Sequence, residues 1–85
     1  SELYKMETNN LKEKILEFIN ALPEKQKLVI HLKDVEEYEI SEIAGIMEME
    51  ENAVRVNLMR ARQKVKESIN KLYAYENRQI QGLGI

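Results

Sequence analysis

The apolar residues of this 85-residue chain recur mostly at intervals of three and four, which places them on one face of an α-helix. The first series predicts a helix that begins at Asn9 or Asn10, because an asparagine side chain can cap a helix N-terminus. The series ends at Leu22, since a residue before proline is disfavoured in helical geometry and Pro23 suits the start of a new helix. Its core-facing positions are Leu11, Ile15, Phe18, Ile19 and Leu22.

A second helix is predicted from Pro23 to about Lys33. It is followed by a connector, residues 34–39, that contains neither glycine nor proline. We expect Tyr38 in this connector to close the edge of the core. The residues of this region predicted to face the core are Leu28, Val29, Leu32 and Val35.

A short third helix is predicted at about residues 40–47, with Glu39 or Ser41 as its cap. Ala44 lies on its apolar face, and a small side chain there lets another helix cross closely. A turn at residues 48–50 leads into a longer helix, so the pattern predicts a helix-turn-helix unit. The core-facing positions of the short helix are Ile40, Ile43, Ala44 and Met47.

The fourth predicted helix, at about residues 51–73, is the longest and has one apolar face. At about 100° per residue, its apolar residues fall in an arc roughly 80° wide. We expect this arc to pack on the other helices. Its members are Val54, Leu58, Ala61, Val65, Ile69 and Leu72.

The opposite side of this helix is a neutral strip bordered by basic residues. A helix in the DNA major groove would use such a strip for base edges and such borders for phosphates. An ordinary amphipathic helix with lysine and arginine outside explains the periodicity equally well. The strip holds Asn52, Val56, Met59 and Gln63, one border holds Arg55, Arg62 and Lys66, and the other holds Arg60, Lys64 and Lys71.

Composition agrees with an all-α protein of a single domain. Charged residues make up 33% of the chain and hydrophobic ones 44%, with one Pro and three Gly, which favours helices. A chain of this size can bury only a small core. We predict a four-helix domain with a C-terminal helix-turn-helix, in the winged-helix-like DNA-binding superfamily but without a wing. It would occupy residues 9–73, between flexible segments at residues 1–8 and 74–85.

The charges of the chain are unevenly distributed. A formal net charge of −2 alone would argue against nucleic-acid binding, but it averages over regions of opposite charge. Residues 34–51 hold eight acids and no base, whereas residues 52–72 hold six bases and one acid, Glu67. A run of like charges is commonly just a solvated helix face. Here the separation of the two runs favours DNA binding by the fourth helix and binding of a protein partner by the acidic run.

Several functional classes are excluded by residue types that are missing or rare. The chain has no Cys and one His, which excludes disulfide scaffolds, zinc fingers, thiol catalysis and iron–sulfur clusters. His31 is expected at the surface, and the acidic run has no metal-binding spacing. We therefore predict no catalytic site, metal or cofactor. No apolar run has the length of a membrane span, so we expect a cytoplasmic protein without membrane contact.

Four motifs follow one another between Ala21 and Ile69. They are Leu22-Pro23-Glu24 with Gln26 and the apolar run 28–32; Asp34-Val35-Glu36 with Tyr38; Glu42-Ile43-Ala44; and Val54-Arg55 followed by Leu58, Arg60, Ala61, Arg62 and Lys64. In this order they closely resemble the LPExxRxVxxL opening, the connector, the EIA signature and the TVKSRLxRARxxL ending of one family. That family is region 4 of the extracytoplasmic-function (ECF) sigma factors of RNA polymerase.

The resemblance implies the C-terminal module of a bacterial sigma subunit that directs transcription initiation. Such a module recognises the −35 promoter element through its last helix and docks on the beta flap of the RNA polymerase core. Whether an anti-sigma factor also binds is left open. The promoter-melting module is missing, so we expect a fragment of a longer protein. The DNA-binding residues implied or adjacent are Asn52, Arg55, Val56, Asn57, Met59, Arg60, Arg62, Gln63 and Lys64.

The chain departs from the family pattern at four positions. Glu37 and Glu48 stand where the family often has Gly, which predicts a positive φ at Glu48. Val56 replaces a common Ser and Asn57 a common basic residue, and these changes bear on which promoter sequence is read.

Two alternative functions are considered. A response-regulator output domain of the LuxR type has a similar helical pattern, but the Arg60-Ala61-Arg62 element argues against it. A helical protein-interaction domain could instead use the basic helix to bind an acidic partner without touching DNA.

Overall fold

A computed structural model describes the backbone of residues 2–82 and the side chains of residues 10–75. Within these residues the chain is helical and contains no strand, which confirms the predicted all-α class with four α-helices. A short π-helix follows the second of them. The elements are α1 (Glu2–Asn20), α2 (Glu24–Ile30), the π-helix (His31–Val35), α3 (Ile40–Met47) and α4 (Glu51–Gly82).

The core is built around the N-terminal half of α4, which contacts α1, α2 and α3. The predicted apolar arc of α4 is confirmed, because its first four members are buried and its last two are half-buried. Each helix supplies at least one aliphatic side chain to this core. The buried residues are Ile19, Val29, Ile30, Ile43, Val54, Leu58, Ala61 and Val65.

The second helix differs from the prediction in length and in the face it buries. It ends at Ile30, and the chain continues with π-helical spacing, in which the Glu36 N–H donates to the His31 carbonyl at 3.0 Å. This wider turn rotates the following residues out of the predicted register, and Val35 is 45% exposed.

The core-facing predictions for Leu28 and Tyr38 were also wrong, because both side chains are exposed. Ile30 was missed, although it is only 3% exposed. It is buried beside its neighbour Val29 because α2 is packed between α1 and α4, so that adjacent residues both meet apolar partners. An amphipathic pattern with a single face cannot reveal such a helix.

The third helix has the predicted bounds, and its cap is Glu39 rather than Ser41. The Glu39 N–H donates to the Glu42 carboxylate at 3.1 Å, which is half of a capping box. At the other end, Glu48 has φ 55° and ψ 48°, as predicted from the departure from Gly. This left-handed residue lets the Met49 N–H reach the Ala44 carbonyl at 3.0 Å and closes the helix.

The outer ends of α1 and α4 extend beyond the predicted boundaries. Helix α1 begins at Glu2 rather than at Asn9 or Asn10, and α4 continues to Gly82 rather than ending near Tyr73. Both extensions consist mainly of residues that tolerate helix well and contain no proline, so the loss of apolar periodicity alone did not end either helix. The division into a domain at residues 9–73 with two flexible ends stays a prediction.

Candidate nucleic-acid interface

The side of α4 opposite its buried arc forms a continuous surface, which we call the outer strip (Asn52, Val56, Met59 and Gln63). Asn52 and Gln63 are exposed, Val56 is half-buried and Met59 is 60% exposed. The strip belongs to the second helix of the α3–turn–α4 unit, and packing on α1, α2 and α3 turns it away from the core. Recognition helices present their base-reading residues in this way.

One border of the strip, which we call the open flank, consists of Arg60, Lys64 and Lys71. All three side chains are exposed. Among the side chains that the structure describes, no carboxylate lies within ion-pair distance of any of them. Glu67 lies on the same side of α4 but forms no ion pair with these bases. The open flank is therefore a source of positive potential beside the strip.

The other border, which we call the paired flank, is partly neutralised. It consists of Arg55, Arg62 and Lys66. The Arg55 guanidinium lies 3.7 Å from the Glu51 carboxylate one turn earlier, in a pair exposed to solvent. Such a pair contributes little to stability and opens readily.

Arg62 is engaged within the protein. Its Nε donates to Asp34 Oδ2 at 2.9 Å and its Nη2 donates to Asp34 Oδ1, so the guanidinium binds the carboxylate through two bonds. The hydrogen bond to Asp34 raises the pKa of Arg62, while desolvation acts in the opposite direction. This pair links α4 to the π-helix, whereas Arg62 was predicted from the sequence to be a DNA contact.

Asn57 is also engaged within the protein. Its side-chain Nδ2 donates to the Ala53 carbonyl one turn earlier on α4, at 2.9 Å. The residue is half-buried near the edge of the apolar arc, away from the outer strip. Two of the predicted DNA-binding residues, Asn57 and Arg62, are thus hydrogen-bonded within the protein. The other predicted residues form no side-chain hydrogen bond among the described residues, and they are Asn52, Arg55, Val56, Met59, Arg60, Gln63 and Lys64.

Acidic residues surround the start of α4. Glu48, Glu50 and Glu51 are all exposed, and the last two precede Asn52 directly. They favour the positive end of the helix dipole, but they also oppose the approach of phosphates to this end. DNA would be attracted mainly by the open flank.

A groove of about 510 Å³ opens between α1, the π-helix and α4, and nothing in the sequence pattern predicted it. Its walls are apolar, and the Asp34–Arg62 pair lies at its rim with Lys12 and Lys66. The exposed side chains of Leu16 and Val35 line it. The apolar residues in its walls are Leu11, Ile15, Leu16, Ile19, Ile30, Val35, Val65 and Ile69.

The described residues provide no arrangement typical of a metal site. No group of three or more His, Cys, Asp or Glu among them could hold an ion. His31 is exposed, as predicted, with its Nε2 3.4 Å from Glu36 Oε1. In this part of the chain no helix is both long and apolar enough to cross a membrane.

Comparison with known families helps to choose between the sigma region 4 resemblance and the LuxR-type alternative. The family model described as sigma-70, region 4 matches residues 12–65, which is more than half of the chain. The chain belongs to the sigma-70 region 4 family. The matched segment runs from α1 into α4 and contains the outer strip, Arg60 and Lys64. No curated protein matches the chain.

Family membership indicates the kind of protein in which this helix-turn-helix acts. Sigma-70 region 4 is a DNA-binding regulatory family and not an enzyme family, and its members take part in transcription as parts of sigma factors. Membership supports recognition of the −35 promoter element and interaction with RNA polymerase. It favours the sigma interpretation over the LuxR-type alternative.

Proposed function

We propose that this chain is the −35-recognition module of an ECF-type sigma factor and that α4 lies in the major groove of promoter DNA. The observation that carries the proposal is the outer strip of α4, which is turned away from the core and bordered by the unpaired bases of the open flank. The ECF assignment is supported by the motif order between Ala21 and Ile69.

The proposed contacts separate into two classes by chemistry. Arg60 and Lys64 neutralise phosphates, because they are exposed cations with no carboxylate partner among the side chains of residues 10–75. The outer strip faces base edges, and Arg55 joins it when DNA displaces the exposed Glu51 partner. Arg62 links α4 to the π-helix through Asp34, and the Asn57 amide donates to the Ala53 carbonyl within α4. We therefore assign neither residue to the DNA contacts.

The apolar groove is the proposed docking site for the polymerase beta flap. Its α4 residues lie about 100° around the helix axis from the outer strip, so one helix could contact DNA and protein at the same time. Apolar walls with a charged rim are typical of a groove that accepts an amphipathic helix. The acidic run at residues 34–51 would bind polymerase or an anti-sigma factor. We place the protein in the cytoplasm, where bacterial polymerase transcribes DNA.

The DNA-binding part of the proposal can be tested by selecting preferred duplexes from a random library with the whole chain. We expect one sequence family to be enriched, and we expect Arg60→Ala combined with Lys64→Ala to weaken binding at least tenfold. Lys25→Ala and Lys12→Ala are the matched controls, because both remove exposed lysines from other helices. Equal loss in the controls, or no enrichment at all, would contradict the proposal.

The docking part is tested separately by polymerase binding. Leu16→Glu places a charge in the exposed wall of the groove and should abolish capture of core polymerase, while leaving affinity for the selected duplex unchanged. Ile46→Glu is the control, since Ile46 is also an exposed apolar residue but does not line the groove. Retained capture by the Leu16 variant would place the flap elsewhere.

A further inference from the structure

The middle of the outer strip is apolar, which is unusual for a surface proposed to meet DNA. Met59 is 60% exposed, and neither Met59 nor Val56 packs against the hydrophobic core. The two residues are three positions apart and lie about 60° from each other on α4, so their side chains are neighbours. Packing in the core therefore does not explain why an apolar residue occupies position 59.

Amide side chains stand at the two ends of this apolar pair. Asn52 is one turn before Val56, and Gln63 is one turn after Met59, and both are exposed. Arg62 is bonded to Asp34. Arg55 and Arg60 lie on the two borders of the strip, so no guanidinium belongs to its apolar middle. The strip itself carries no charged group.

This order of chemical groups matches one kind of base pair. In the major groove only thymine presents an apolar group, its 5-methyl, and adenine is the base that asparagine and glutamine bind through two hydrogen bonds. Guanine is read mainly by arginine or lysine. From Asn52 to Met59 the strip extends about 10 Å, which corresponds to about three base-pair steps.

We infer that Val56 and Met59 form a thymine-reading site that contacts the 5-methyl groups of neighbouring A·T base pairs. The inference rests on the proposed function, because it requires α4 to lie in the major groove. It assigns specificity to apolar contact at the centre of the strip and to Asn52 at its start. Arg60 and Lys64 hold the helix on the DNA without selecting these bases.

Replacing thymine by deoxyuridine tests the inference, since this change removes only the 5-methyl group. In the duplex selected by the whole chain, each thymine is replaced in turn and the affinity is measured by fluorescence anisotropy. We expect a loss of about fourfold at one or two neighbouring positions, the size expected for one buried methyl group. Replacement at the other positions should change affinity less than twofold.

Protein variants then identify the side chain that contacts each methyl group. Met59→Ala should remove the difference between thymine and deoxyuridine at one position, and Val56→Ser, which removes both γ-methyl groups of the valine, should reduce it at the adjacent position. Because Met59 is exposed, its variant should melt like wild type in circular dichroism. Leu28→Ala, which removes an exposed apolar side chain from α2 that does not line the groove, should leave the thymine preference unchanged.

The outcomes separate this inference from the function on which it rests. If the chain selects a duplex but deoxyuridine is tolerated at every position, the thymine-reading site is wrong and the proposed function stands. The same holds if Met59→Ala keeps the full thymine preference. If no duplex is selected, both fail together.

Discussion

Glu48 is, with Glu37, one of two non-glycine residues with a positive φ among the residues that the structure describes. It ends α3 in the left-handed region, at φ 55° and ψ 48°, where a Cβ atom meets the following carbonyl. Glycine avoids this contact but loses more entropy on folding. We therefore expect Glu48→Gly to be neutral or to raise the free energy of unfolding by up to about 1 kcal/mol in chemical denaturation.

Glu48→Ala is the control for this prediction, because it removes the same charge and keeps the Cβ atom. The difference between the two variants isolates the backbone contribution. If Glu48→Gly is less stable than Glu48→Ala, the left-handed geometry costs less than the lost entropy and the strain argument fails.

Leu58 and Met59 are adjacent on α4 and lie about 100° apart around its axis, which buries the first and exposes the second. Leu58 is 5% exposed within the core, so Leu58→Ala should lower the free energy of unfolding by about 2 to 5 kcal/mol. Met59→Ala, on the exposed side, should change it by less than about 0.5 kcal/mol. Urea denaturation of the two variants checks the face assignment, which a loss below about 1 kcal/mol for Leu58→Ala would contradict.

At the scale of helices, the Asp34–Arg62 pair connects the π-helix with α4 across the rim of the groove. Both side chains are more than a third exposed, so solvent screens the interaction. We expect a double-mutant cycle with Asp34→Asn and Arg62→Gln to give a coupling energy of about 0.5 to 1 kcal/mol, at the upper end for exposed pairs because the guanidinium binds through two bonds.

The matched cycle uses Glu51→Gln and Arg55→Gln, because the charged groups of Glu51 and Arg55 are 3.7 Å apart, too far for a hydrogen bond. Its coupling energy should be close to the value for an ordinary pair one helical turn apart, about 0.3 kcal/mol. Equal coupling in the two cycles would mean that the Asp34–Arg62 pair does not fix the position of α4.

The helices could be predicted from the sequence where one apolar face decides their packing. This holds for α3 and for the arc of α4 from Val54 to Val65. Between residues 28 and 35 the core positions of Val29 and Leu32 are confirmed. The prediction fails at Leu28, Ile30 and Val35, because α2 buries adjacent residues and the π-helix changes the spacing of side chains. Neither effect is visible in a period of 3.6 residues.

The faces of the candidate site could be predicted from helical spacing, but the contacts between distant residues could not. Helical spacing identified the outer strip and its two borders. It could not distinguish Arg60 from Arg62, because the partner of Arg62 is 28 positions away in the sequence. The groove depends on how α1, the π-helix and α4 pack together, so it could not be predicted from any single helix.

At the scale of the whole molecule, the basic face of α4 is opposed by the acidic run at residues 34–51. A net charge of −2 and few phosphate contacts should make the isolated chain a weak DNA binder, with a Kd on the order of micromolar or higher. In the full transcription complex, polymerase would supply the remaining affinity by holding the module beside the promoter.

The salt dependence of DNA binding tests most directly whether the open flank of α4 is the DNA-binding surface. For the wild-type chain on its selected duplex, contacts to about three phosphates should give a slope near −3 in log affinity against log salt. Arg60→Ala should reduce the magnitude of this slope by about one and weaken selected and scrambled duplexes alike. Arg62→Ala, which removes a guanidinium already bound to Asp34, should leave the slope unchanged. A wild-type affinity that does not change with salt, or a slope that responds to Arg62→Ala and not to Arg60→Ala, would contradict the account.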